Sequence, residues 1–453
     1  MKIIIAGDGK VGSTLARQLS LEGNDITLID SDMHVLNASM DNMDVMAIHG
    51  NCAAMSVLLQ AGVKEADLLI AATSADEVNL LCCTTAHGIN PNLHTIARIR
   101  NPEYTEQIYE MRDVFALSMA INPEKQAANE IERLLKYPGF LRRDSFAKGR
   151  AEIVELRIDR NSKLCNVALM DIQSVIKSKV LICAVLRNGQ ALVSNSGSFV
   201  LREGDRIFVT APTKNLTAML KNLDIITRRA RRVILCGGGR VSYYLASLLA
   251  KDGIRTQIVE SNPARCRELA TLLPETSIIQ GDATDISLLE KEGLASCDAL
   301  VTLTGMDELN MIISMHGISR GIPQVITKLG HSEDRTIIDS LSLGSIVSPK
   351  DLCCNTIVRY VRAMRNQVGA ALSLHTIADG QAEAVEFLVD AHTQHCGKPL
   401  KELKLRPGVL IASIAHGAKI EIPNGDSVFC EGDSVVVVTS GRGVLQQLND
   451  IFA

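Results

Sequence analysis

The chain has 453 residues, 46% of them hydrophobic and 22% charged, with a formal net charge of -4. That is an ordinary globular composition, and the length calls for several domains rather than one core. With no cationic excess, no Trp and 3% aromatics, the composition argues against nucleic acid as a partner.

The opening segment carries Lys2 and a short apolar run, too brief for a signal peptide. No later run approaches the roughly 20 apolar residues of a membrane helix, so a cytoplasmic protein is expected. The run KIIIAG reads as a buried strand. It leads into Gly7-x-Gly9-x-x-Gly12 and a helix whose Val11, Leu15 and Leu19 share one face, with Gly23 as its C-terminal cap. The next strand, DITLID, ends on Asp30, the acidic position that follows such a glycine turn in a dinucleotide-binding unit. DVMAIHG, ADLLIAAT and LHTIARI follow as near-continuous apolar strands, the pattern of a parallel sheet covered on both faces. The fold class is therefore α/β, with a doubly wound, Rossmann-like sheet.

Glycines at that spacing let a backbone approach a pyrophosphate, and the helix N-terminus supplies N–H donors. Candidate ligand-binding positions in the turn are Gly7, Asp8, Gly9, Lys10, Val11 and Gly12. Asp30 would accept from ribose hydroxyls, which favours NAD or an adenine nucleotide over NADP. At later strand ends the candidates are Asn51, Cys52, Thr73 and Ser74. Arg98 and Arg100 share one face of TIARIR and are candidate phosphate clamps.

Asn122-Pro123 places an N-cap before a first-turn proline. Ala127, Ile131, Leu134 and Leu135 then form a stripe that either docks on its own domain or makes a dimer contact. A smaller strand-rich module, 143–227, contains VLICAVLRNGQALV, read as a hairpin, an EGD turn and the strand DRIFVTA. The basic run Arg228–Arg232 reads as a solvated seam.

Beyond it the chain repeats itself. The interval from Gly7 to Gly237 is the same as that from Asp30 to Glu260. SADEVN is echoed by GMDELN, and the EGD at 203–205 by the EGD at 431–433. Second-copy candidates are Gly237, Gly238, Gly239, Arg240, Val241, Ser242, Glu260, Asp282, Ala283, Thr304 and Lys328. Ser242 replaces the third glycine, and Gly330 stands opposite Arg100. The two sites are expected to differ in affinity or ligand choice. Four domains are expected: 1–123, 143–227, 232–348 and 368–453, each Rossmann-like lobe being followed by a small α+β lobe.

The twelve Cys include no CxxC pair, which suits buried reduced thiols. His392, His395 and Cys396 cluster without a fourth ligand at familiar spacing, and no metal is expected.

With IIIAGDGKVGSTLA and ITLID, the diverged VILCGGGRVSYYLA and TQIVE, and two EGD lobes in tandem, the whole chain resembles the TrkA family. These are the cytoplasmic regulatory subunits of bacterial Trk-type potassium uptake systems, with tandem RCK units. The resemblance implies binding of NAD(H) and of ATP or ADP. It also implies a ring, typically a homotetramer, docked on a potassium-translocating integral membrane subunit at the inner face of the cell membrane. It places dinucleotide contacts at Gly7 to Gly12, Asp30, Thr73, Ser74 and Arg98, with second-copy equivalents at Gly237 to Ser242, Glu260, Thr304 and Lys328.

No HExxH, Ser-His-Asp or His–acid arrangement accompanies the glycine turns, so a sensor is expected rather than an enzyme. The alternatives are an NAD-dependent oxidoreductase and a regulator of another potassium channel or antiporter.

Overall fold

The computed structural model describes residues 1–453 apart from 137–139, 194–195, 226–229, 331–340, 342, 366–370, 441–444 and 446. Arg228 and Arg229 of the basic seam lie outside the described residues, as do the expected bounds at 227 and 368.

The first sheet is parallel, with strands in the order Met46–His49, Asp25–Asp30, Lys2–Ala6, Leu68–Ala71, His94–Arg98 and Met119–Ile121. Lys2–Ala6 sits centrally, and Ile3 to Ala6 are buried because helices cover both faces. The chain reverses direction of travel across the sheet between Lys2–Ala6 and Leu68–Ala71. In such a sheet that switch opens a crevice at the carboxyl ends of the strands. The helix Lys10–Leu21 buries Val11, Leu15 and Leu19 and ends where Gly23 takes φ 75°. The second parallel sheet repeats the order: Ser277–Gln280, Arg255–Glu260, Arg232–Cys236, Ala299–Thr302, Gln324–Lys328 and Ser345–Val347.

The small lobes are five-stranded antiparallel sheets. In the first, Leu181–Arg187 and Gln190–Val193 form a hairpin. Asn188 and Gly189 at its tip have φ 51° and 73°, the left-handed pair a two-residue turn requires. Two strands that the sequence reading did not single out, Arg142–Phe146 and Ala151–Arg157, complete this sheet. The two small lobes share a core. Phe146, Ile153 and Phe208 cluster with Ile377, Ala384 and Val436. Beside that core, His375 Nδ1 lies 2.9 Å from Asp144 Oδ1. Burial pushes the Asp144 carboxyl up, but Arg142 and His375 outweigh it and hold the pKa at about 2.

The long helices that follow each parallel sheet run over Pro123–Lys136 and Pro349–Arg365. Asn122 Oδ1 accepts from Lys125 N–H at 2.8 Å, so the expected cap forms, and Ser348 Oγ accepts from Asp351 N–H at 3.3 Å at the same place in the second copy. The molecule divides into two compact units that are not the two copies. One is Met1–Asn129 with Ser348–Val358, and the other is Glu130–Val347 with Arg359–Ala453. In the first, the Cys354 thiol donates to the Val11 carbonyl at 3.8 Å, and Gln126 Nε2 donates to Thr356 Oγ1 at 3.2 Å. In the second, Gln324 Nε2 donates to the Leu134 carbonyl at 2.8 Å. Ile131, Leu134 and Leu135 are thus buried in the unit that holds the second parallel sheet, while Ala127 is buried in the other.

Candidate functional site

The glycine turn is built by close approach. Gly7 takes φ 98°, and a Cβ there would fall 2.8 Å from the Thr73 nitrogen. A Cβ on Gly12 would fall 1.9 Å from the Gly7 carbonyl oxygen. Both positions therefore exclude a side chain. Gly9 is different: nothing lies within 4 Å of where its Cβ would be. That open space faces the first turn of the helix that begins at Lys10, whose leading amides have no intrahelical acceptor.

Asp30 is already at work on the backbone. Its Oδ2 accepts from Asp8 N–H at 2.7 Å and its Oδ1 from Asp32 N–H at 2.9 Å. The half-exposed carboxylate retains further lone pairs for hydroxyl donors.

A brace missed as a site feature lies behind Thr73. The fully buried Asn79 accepts through Oδ1 from Thr73 N–H at 2.9 Å and from the Thr73 hydroxyl at 2.7 Å, and donates to the Arg98 carbonyl at 2.8 Å. Asp76 Oδ2 accepts from the Arg100 and Asn101 amides at 2.8 and 2.7 Å. These two residues tie the ends of neighbouring strands together. Their signal in the sequence is the repeated SADEVN/GMDELN segment, which marks the duplication and carries Asp76 and Asn79 in the first copy.

The brace separates the two arginines expected to act alike. Arg100 is engaged: Nε lies 3.6 Å from Asp76 Oδ1, and Nη2 donates to the Ser74 carbonyl. Arg98 is less fully bonded. Its Nη1 donates to the Ala72 carbonyl at 3.4 Å, while its buried Nε has no hydrogen-bond partner among the described residues. Burial, then Arg100, lowers its pKa.

The remaining first-copy candidates divide by exposure. Lys10, Asn51 and Ser74 are exposed, and Asn51 Oδ1 accepts from Ala53 N–H at 3.0 Å. Val11 and Cys52 are buried. The Cys52 thiol meets Cys82, whose hydrogen bond lowers its pKa. Val11 and Cys52 therefore offer a ligand their backbone only. Asp8 is the unexpected side chain. It is 1% exposed, and neither carboxylate oxygen has a hydrogen-bond partner among the described residues. Burial raises its pKa, Ser39 opposes this and Asp30 adds to it.

The second copy reproduces the frame with different chemistry. Gly237 takes φ 104°. Glu260 accepts from the amides of Gly238 and Asn262, each at 2.7 Å. Asn310 repeats the brace, with Thr304 at 2.8 Å and the Lys328 carbonyl at 3.0 Å. Ser242 is fully buried and its hydroxyl donates to the Gly237 carbonyl, so the substituted glycine position is filled by a bonded side chain. Lys328 Nζ donates to the Thr304 carbonyl at 2.6 Å, and Arg265 Nε to the Gly238 carbonyl at 2.8 Å. Arg240 and Gly239 are exposed, Val241 and Ala283 buried. Asp282 accepts from Thr284 N–H and its hydroxyl, both at 2.8 Å, which lowers its pKa.

A phosphate-bearing nucleotide fits the first site on three observations: the open space at Gly9, the helix N-terminus behind it, and the unpartnered Arg98 Nε. At the second site the equivalent cation is already bonded to the loop it would leave.

Comparison with known proteins adds independent information. The family model described as the TrkA-N domain matches residues 3–123 and 233–349, and the TrkA-C domain matches 153–224 and 384–453. A Trk system potassium uptake protein TrkA homolog of Archaeoglobus fulgidus is 32% identical over 454 residues, covering 100% of both chains. The Trk system potassium uptake protein TrkA of Halomonas elongata is 29% identical over 457 residues, covering 100% of this chain and 98% of its own. Among solved structures, the GsuK RCK domain superposes with a TM-score of 0.62 at 16% identity, covering 97% of this chain and 92% of that one. The GsuK channel bound to NAD superposes with a TM-score of 0.61 at 16% identity, covering 97% and 76%. These structural likenesses concern the fold.

Proposed function

Because the chain belongs to the TrkA family of Trk-system potassium uptake proteins, we propose that it senses nucleotides in its Rossmann-like lobes and gates a potassium-translocating membrane subunit. As a member of that family it is a nucleotide-binding regulatory subunit of potassium transport and not an enzyme, which sets aside the oxidoreductase alternative. The finer reading is ours. The ligands are NAD(H) and ATP or ADP. The assembly is a homotetrameric ring at the cytoplasmic face of the membrane, and 1–123, 143–227, 232–348 and 368–453 are its lobes.

The observation that carries the reading is the first glycine turn, open at Gly9 and bonded to Asp30, on a sheet whose strand His94–Arg98 ends on a buried arginine with no hydrogen-bond partner for its Nε among the described residues. The bound nucleotide supplies phosphate charge and ribose hydroxyls, nothing reactive. Asp30 accepts from the hydroxyls while keeping its two backbone donors. The turn presents amides to the phosphates, and Arg98 completes its hydrogen bonding on them. Binding shifts the ring only insofar as these contacts differ between two conformations. The Asn79 brace ties Arg98 to Thr73, so a pull on the guanidinium reaches the loop behind the turn. The first site is the stronger phosphate site, since Lys328 and Arg265 of the second are already engaged.

The test is calorimetric titration of the full chain with NADH, NAD, ADP and ATP, compared with Asp30→Asn. The variant should lose about tenfold or more in affinity, and it should melt somewhat lower, because its amide nitrogen replaces one of the two oxygens that accept from the Asp8 and Asp32 amides. Unchanged affinity would remove Asp30 from the site. In cells lacking the gene, restoration of potassium uptake by the wild-type chain but not by Asp30→Asn supports gating through this site. Equal restoration contradicts it. Native mass spectrometry and co-purification with membranes test the ring and its docking.

A further inference from the structure

The twelve cysteines are all free thiols: nine are buried, Cys165 is half-buried, and only Cys396 and Cys430 are exposed. Those two lie in separate segments of the last small lobe, yet they are neighbours. Gly397 N–H donates to the Phe429 carbonyl at 2.9 Å, which holds the two segments side by side with one cysteine flanking each bonded residue. Both backbones are fixed. Left-handed His395 and Gly397, φ 61° and 73°, shape the turn around Cys396, and its thiol donates to the Thr393 carbonyl at 3.4 Å. Cys430 N–H donates to Asp433 Oδ2 at 2.7 Å. Carboxylates surround the pair: Asp433 Oδ2 sits on the Cys430 amide, Glu431 follows Cys430 in the chain, and Asp390 Oδ1 accepts at 2.9 Å from the hydroxyl of Thr393, whose carbonyl takes the Cys396 thiol. Burial first, then Cys430 and these acids, raise the Cys396 pKa.

Among the described residues no three His, Cys, Asp or Glu side chains are placed to share an ion, and the His395 ring packs edge-on against Phe452 at 4.7 Å. What remains of the His392, His395 and Cys396 cluster is one sulfur, and Cys430 supplies the second.

The first small lobe provides an internal control. There Asn166 N–H donates to the Leu201 carbonyl at 2.8 Å, and Arg202 N–H to Asp205 Oδ2 at 2.7 Å. These are the same two bonds, so Cys165 stands where Cys396 does and Arg202 where Cys430 does. The dithiol exists in one copy only.

We propose that Cys396 and Cys430 form a redox site that closes to a disulfide by exchange with small neutral or cationic disulfides. One thiolate attacks a sulfur of the small disulfide R–S–S–R and expels one RS⁻, giving a mixed disulfide. The other thiolate then attacks the protein sulfur of that bond and expels the second RS⁻. Two protein thiols are oxidised, one small disulfide is reduced to two thiols, and the protons lost by the protein are taken up by them. The carboxylates of Asp390, Glu431 and Asp433 select the partner. They repel anionic disulfides such as oxidised glutathione and attract a cation such as cystamine. A thiol held protonated reacts slowly with peroxide but yields a disulfide that resists reduction.

The full-length chain, incubated at pH 8 with cystamine, hydroxyethyl disulfide or oxidised glutathione, is digested without reduction and analysed by mass spectrometry. A peptide pair cross-linked at Cys396 and Cys430 is expected, formed fastest with cystamine and slowest with oxidised glutathione. The difference should shrink as salt is added. Cys396→Ser and Cys430→Ser, both surface changes, should each trap the mixed disulfide on the remaining cysteine, while Cys165 stays unlinked. Two independent mixed disulfides on the wild-type chain, with no cross-link, would overturn the proposal. So would a rate order that follows exposure alone, with oxidised glutathione as fast as cystamine.

Discussion

A methyl group on Gly12 would fall 1.9 Å from a backbone oxygen, whereas one on Gly9 would meet nothing. The two glycines of one turn are therefore separable by experiment. Gly12→Ala should cost roughly 2–3 kcal/mol of stability, since backbone must shift to make room. Gly9→Ala should leave the melting temperature unchanged and weaken nucleotide binding, because the methyl occupies the approach path. Thermal melts and calorimetric titration read both. Asp8 offers a second contrast. The first copy buries this acid near Ser39. The second places Gly238 against Leu269, 2.7 Å from where a Cβ would stand. Leu269 is the second-copy counterpart of Ser39, as Gly238 is of Asp8, so the two differences are complementary. Asp8→Gly with Ser39→Leu should stabilise the chain by about 1–3 kcal/mol, as it removes a buried carboxylate that no cation faces among the described residues. Ser39→Leu alone should destabilise. Urea denaturation at pH 7 checks both signs.

Along the helix Pro123–Lys136, Glu130 is the strained charge. Burial raises its pKa to about 7, only partly offset by Arg133, 3.5 Å away. An unfolded glutamate loses its proton near pH 4.5, so the folded form is penalised increasingly from that pH up to 7 and fully beyond it. Glu130→Gln should leave stability unchanged at pH 4 and raise it by roughly 2–3 kcal/mol at pH 8. Denaturation curves at the two values decide. Elements also differed in how plainly the sequence declared them. Lys2–Ala6 and Leu68–Ala71 are apolar almost throughout and buried to match, so pattern and environment agree. Arg142–Phe146 carries two arginines and an aspartate and is largely buried all the same. Arg143 meets Glu152 in a two-pronged ion pair at 2.5 and 2.9 Å, which hides a core strand behind charge. Met119–Ile121 is only three residues long, too short for any periodicity to mark it.

At the scale of the whole molecule, the duplication was legible from landmarks that recur at a near-constant interval, and so was the position of each glycine turn. The roles of Asn79, of Asp8 and of Arg100 against Arg98 were not, because each depends on which neighbour a side chain reaches across strands far apart in sequence. Nor could local pattern show that Ser348–Val358 belongs with Met1–Asn129. A fragment ending at residue 227 therefore lacks part of its own first unit, even though it contains a complete copy of the repeat. Its Ala127 and Ala128 face would lose cover, and the fragment should melt below the full chain or associate with itself. Calorimetry and light scattering on the fragment, with and without a peptide spanning 348–358, measure this; an unaltered, monomeric fragment would contradict the assignment.

The same segment sets an order of events at the ribosome. The first unit cannot close until residue 358 has left the exit tunnel, long after its glycine turn has been made. While the first small lobe and the second parallel sheet are being synthesised, the nascent chain carries a half-finished sheet domain. The first nucleotide site is thus the earliest part of the protein to be translated, and among the last to be completed.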